Sequence, residues 1–124
     1  MAKAVAALVA ASFLILLLAF PTVFATDYVV GGPSGWVIGP DYGIWAENFK
    51  FKVNDTLTFK YEARLHQVDE VSKRDYINCN SNHPIKNYKG GNNKITLSKP
   101  GSYFFLCPTP RHCQLGMKLA LNVS

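Results

Sequence analysis

Apolar and polar positions alternate through most of the chain beyond residue 26. Phe49, Phe51 and Val53 fall on one face of a run whose other face is Lys50 and Lys52. Leu57, Phe59 and Tyr61 repeat the pattern, with Asn54-Asp55 between the two runs. This predicts two consecutive antiparallel strands joined by a polar turn. Asp27 to Val30 reads as an opening strand, followed by the turn-rich stretch Gly31 to Gly35. Further short strands are expected over Gln67–Val71, Ile95–Leu97 and Ser102–Leu106. A last one follows Met117, where Leu119, Leu121 and Val123 alternate with Lys118, Ala120 and Asn122. Turn residues punctuate them at Lys89–Asn93 and Lys99–Gly101. The polar segment Ser72–Tyr76 suits a helical turn, and Trp36 and Trp45 are expected in the core. Short strands at regular spacing, with one or two helical turns, predict an all-β sandwich of about seven or eight strands.

The first residues follow a different pattern. Lys3 precedes an apolar run from Ala4 to Phe20, Pro21 breaks it, and Val23-Phe24-Ala25 places small or apolar residues at a cleavage position. Residues 1–25 are therefore expected to be a secretory signal peptide, cleaved after Ala25. The run is short for a bilayer span of about 20 residues, which makes a transmembrane anchor the weaker reading. What remains, residues 26–124, is one domain. Its net charge is +4, against +5 with Lys3 included. Scattered lysines suit a solvated surface or contact with an acidic wall polymer. No basic run interleaved with aromatics points to nucleic acid. Asn54-Asp55-Thr56 is an N-glycosylation sequon in an expected turn, and Asn122 opens a second one.

Composition changes the picture most at Cys107 to Met117. Cys107, His112 and Met117 recur at five-residue intervals. A thiolate, an imidazole and a thioether together select a soft or borderline metal. Two His and a Cys with a weak axial Met is the blue-copper set. His66, just before the Gln67–Val71 run, supplies the second imidazole. Core filling is the alternative for such residues near a strand end, but it leaves Pro108 and Pro110 unexplained; these stiffen the loop. Zinc accepts Cys and His, but Met is an unusual zinc ligand. His83, beside Pro84 in a polar loop, is expected at the surface.

The chain has three cysteines, Cys79, Cys107 and Cys113. In a secreted chain an odd count leaves one thiol over. If Cys107 binds metal, Cys79 and Cys113 are the natural disulfide pair. The competing pairings leave Cys79 or Cys113 free in an oxidising compartment.

These features together resemble the phytocyanins, the secreted blue copper proteins of plants. The resemblance rests on the opening Tyr28-Val29-Val30-Gly31-Gly32, Gly35-Trp36, the segment His66–Val71, Cys79, and the run Tyr103–Leu119. It covers essentially all of residues 26–124, and the last run looks most like the uclacyanin and plantacyanin branches. The resemblance implies a cupredoxin-like Greek-key β-sandwich with one type 1 copper ion. The implied ligands are His66, Cys107, His112 and axial Met117, and the implied disulfide is Cys79–Cys113. It further implies a monomeric, secreted, non-enzymatic carrier of single electrons with an unnamed redox partner. A non-redox wall or cell-surface role on the same fold is the alternative. Many relatives continue into a Pro/Ser-rich stretch and a lipid-anchor signal. Ending at Ser124 therefore suggests either a freely secreted form or a fragment. One departure is Arg111, where the family usually has Gly. If that position needs a positive φ, Arg111 is strained there. The loop is expected to tolerate it, and its charge to raise the reduction potential.

Overall fold

The computed structural model describes residues 24–124, so all but the last two residues of the expected signal peptide lie outside the described residues. Among the described residues, seven strands form two sheets. The first sheet orders β1 (Asp27–Val29), β2 (Thr56–Lys60) and β5 (Asn92–Thr96) as β1-β2-β5. The second orders β3 (Val68–Val71), β4 (Lys86–Tyr88), β6 (Gly101–Leu106) and β7 (Lys118–Val123) as β4-β3-β6-β7. Among the described residues, two short α-helices, α1 (Tyr42–Glu47) and α2 (Lys73–Asn78), and a 3-10 turn at Gly32–Ser34 complete the fold. Asp41 caps α1 and Ser72 caps α2, each accepting a backbone N–H three residues on. This is the all-β sandwich that the patterning predicted, and it agrees with the cupredoxin-like fold that the resemblance implied.

The inner rows of the strands make the core. Leu57, Phe59 and Ile95 from one sheet meet Val68, Phe105, Leu119 and Leu121 from the other. Trp36 is fully buried among them and packs edge-on to Phe59. Trp45 lies half-buried at the core's margin. The alternate residues of β6 face outward: Phe104 and Leu106 join Val71, Tyr76 and Cys113 in a smaller cluster.

Two expectations fail here. Phe49–Val53 is not a strand, and it does not form a hairpin with β2. Both edges of β2 are taken, by β1 in parallel and by β5 antiparallel. The turn also folds away from a hairpin: Asn54 has φ 75°, and the Asp55 carboxylate accepts the N–H groups of Lys52 and Thr26. Phe51 instead forms a single parallel bridge to Val123 at the chain's end. The strand β4 and the helix α1 were not evident in the pattern. Both sequon asparagines, Asn54 and Asn122, are exposed.

Candidate metal centre

Strand phase delivers the site. Cys107 follows β6 in phase with the inward Tyr103 and Phe105, and Met117 precedes β7 in phase with Leu119 and Leu121. The β6–β7 ladder pairs Leu106 with Lys118, and one further bond, Cys107 N–H to Met117 C=O at 3.0 Å, extends it past the strand ends. His66 is in phase with the inward Val68 on the neighbouring strand β3. Three adjacent strands thus bring their inner rows to one end of the sandwich.

The loop between Cys107 and Met117 is tied to itself. His112 N–H donates to Thr109 C=O, and Met117 N–H to His112 C=O, both at 3.0 Å. His112 Nδ1 and His66 Nδ1 are 3.1 Å apart, and Cys107 Sγ lies 3.6 Å from the former and 3.8 Å from the latter. The in-plane point equidistant from these three atoms is about 2 Å from each, the reach of a metal–nitrogen bond and slightly under a metal–thiolate bond. Cys107 is 1% exposed, Met117 fully buried and His66 6% exposed, while His112 keeps an exposed edge. Among the described residues, His66, Cys107 and His112 form the one cluster of such donors. The donor set fits a single type 1 copper ion, which the imidazoles of His66 and His112 and the thiolate of Cys107 would hold, with the Met117 thioether from the same loop.

Burial first, and the neighbouring His112 second, hold the His66 pKa below the ordinary histidine value. That keeps an imidazole lone pair available for metal at neutral pH. The disulfide joins Cys79 to Cys113, with Cα atoms 5.7 Å apart, and leaves Cys107 as the free cysteine. Closing a loop over a separation of 34 residues is worth about 4 kcal/mol in the chain-entropy account. Cys113 adjoins His112, so the bridge also fixes the backbone that carries that donor. Arg111 takes φ 70°, the left-handed region. The strained alternative foreseen for this position is therefore the one realised, at roughly 1–2 kcal/mol for a residue with a Cβ. His83 is exposed and outside the cluster.

Two contacts that hold the site were invisible in the sequence. Thr109 Oγ1 donates to Leu65 C=O at 2.8 Å, tying the Cys107 loop to the segment that carries His66. Its oxygen also lies 3.4 Å from Cys107 Sγ. On the other side, Trp36 Nε1 donates to Gln67 C=O at 3.0 Å, pinning the residue next to His66.

A two-sheet fold with such a donor set defines a cupredoxin-type copper domain. Comparison with known proteins places it more narrowly. A family model described as a plastocyanin-like domain matches residues 36–117. A blue copper protein of Pisum sativum is 46% identical over 99 residues, covering 80% of this chain and 52% of its own. Uclacyanin-3 of Arabidopsis thaliana is 45% identical over 115 residues, covering 93% and 51%. Early nodulin-like protein 1 of the same plant is 42% identical over 118 residues, covering 90% and 32%. Among solved structures, cucumber basic protein, a blue copper protein, superposes with a TM-score of 0.74 at 36% identity, covering 80% of this chain and all of its own. The chain belongs to the phytocyanins, within the plastocyanin-like family. It spans about half the length of the first two relatives.

Proposed function

We propose that this domain carries single electrons outside the cell through a type 1 copper centre. The observation that carries the reading is the triangle of His66 Nδ1, His112 Nδ1 and Cys107 Sγ, with sides of 3.1, 3.6 and 3.8 Å. Copper, when bound, supplies a one-electron couple. The chain's residues supply the rest. Cys107 as thiolate and the Nδ1 atoms of His66 and His112 would hold the ion. The loop's backbone bonds, the disulfide and the Thr109 and Trp36 contacts hold these donors in place. Fixed donors suit electron carriage, because little has to move when the charge changes. His112 is the donor with an exposed edge, so a redox partner that touches the site touches it there. Four donors from the chain complete the set, which favours carriage over catalysis. Secretion is supported by the leader-like pattern of residues 1–25 and by a disulfide, which persists in oxidising compartments.

Voltammetry of the copper-loaded protein tests this. A reversible one-electron wave that disappears in Cys107→Ser is the expected result. A protein that holds copper but shows no wave would support the non-redox surface role, which the early nodulin-like match keeps in view.

A further inference from the structure

The ligand loop also walls a cavity on the disulfide side of the site. Its volume is about 200 Å³, and its lining includes Ser81, Cys107, Arg111, Gln114 and the Cys79–Cys113 bridge. Arg111 is the one charged side chain in that lining, and no carboxylate faces it there. Among the described residues the only ion pair is Lys94–Asp27 at 4.0 Å, so the exposed Arg111 guanidinium is not held by a carboxylate. The guanidinium presents N–H donors in a planar fork that matches an oxyanion bidentately. Ser81 and Gln114 add a hydroxyl and an amide. The backbone reaches this arrangement through a left-handed residue that glycine would occupy without strain.

We propose that this cavity binds a small oxyanion, a phosphate or a carboxylate, through Arg111 with Ser81 and Gln114. Cys107 lines the same cavity and His112 adjoins Arg111, so the anion lies next to two residues that supply donors to the metal site. A second consequence rests on the copper reading given above. Negative charge beside the centre favours the more positive oxidation state, so a bound anion lowers the midpoint potential. Reciprocally, the oxidised protein binds the anion more tightly by the same factor. For one electron, each tenfold ratio of affinities corresponds to about 59 mV.

The test is a phosphate titration of ¹⁵N-labelled copper-free protein, followed by amide shifts at constant ionic strength, with sodium chloride as the control salt. A parallel titration with acetate separates the phosphate and carboxylate chemistries. Saturable shifts at Ser81, Arg111 and Gln114 are expected, lost in Arg111→Gly and weakened several-fold in Arg111→Lys. The glycine variant suits the left-handed turn, so it keeps the fold. Equal shifts with chloride, or unchanged binding in Arg111→Gly, overturn the site. In the copper-loaded protein the midpoint falls as phosphate is added, and does not in Arg111→Gly. Phosphate binding with an unmoved midpoint overturns the coupling. Phosphate binding by a protein that takes up no copper upholds the anion site and sinks the copper reading alone.

Discussion

Thr109 is a single hydroxyl that joins the two halves of the metal centre. Its donor bond to Leu65 C=O spans 44 residues of sequence. Thr109→Val removes it and leaves a carbonyl short of a partner, which costs about 1 kcal/mol. Thermal unfolding of the copper-free protein should show that loss, and Thr109→Ser should restore it. A role at the metal predicts more: the valine variant should also shift the visible band of the copper form, whereas a purely structural contact would leave it in place. Arg111 is expected to act through charge. Placed next to His112, it would disfavour the oxidised metal, so Arg111→Gly should lower the midpoint potential in voltammetry. An unchanged or higher midpoint in the variant refutes that role.

At the scale of elements, β3 carries an unusual burden. Asp69 is 2% exposed, on the outward face opposite Leu106, with a hydrogen bond from the Asn87 amide on β4. Burial pushes its pKa above the ordinary aspartate value, against the weaker pull of Asn87 and Lys89. A folded-state pKa above the unfolded one means a contribution that is fully present below the unfolded pKa and lost as pH rises through the folded one. The ionised carboxylate therefore destabilises the fold at neutral pH. Asp69→Asn should raise the melting temperature at pH 7, and the gain should vanish below the unfolded pKa, near 3.8. The bridge between α2 and the ligand loop works the other way. Replacing Cys79 and Cys113 together by Ser should cost about 4 kcal/mol in urea unfolding. It should also weaken copper retention, because His112 loses its fixed neighbour.

For the molecule as a whole, the chemistry was more legible than the topology. Cys107, His112 and Met117 lie within one short loop, and an odd cysteine count singles out one thiol, so the sequence carries most of the site on its face. His66 could be sought because a blue-copper set requires a second imidazole. The strands themselves were legible from period-two alternation, above all β6 and β7, whose inner rows run straight into Cys107 and Met117. Their partners were not. Phe51 alternates as a strand should, yet it meets Val123 at the far end of the chain, and local pattern says nothing of such pairings. The Thr109 and Trp36 contacts escape for the same reason, being side-chain bonds to distant carbonyls with no local signature. Arg111 was the residue the sequence marked as out of place, and the fold puts it at positive φ beside a cavity. The central claim is the copper centre, and it is met most directly by adding Cu(II) to the folded domain, residues 26–124, with the disulfide formed. Visible absorption and electron spin resonance should show a thiolate-to-copper charge-transfer band with a type 1 signal, absent in Cys107→Ser and intact in His83→Ala. A protein that binds the metal yet stays colourless would contradict the account.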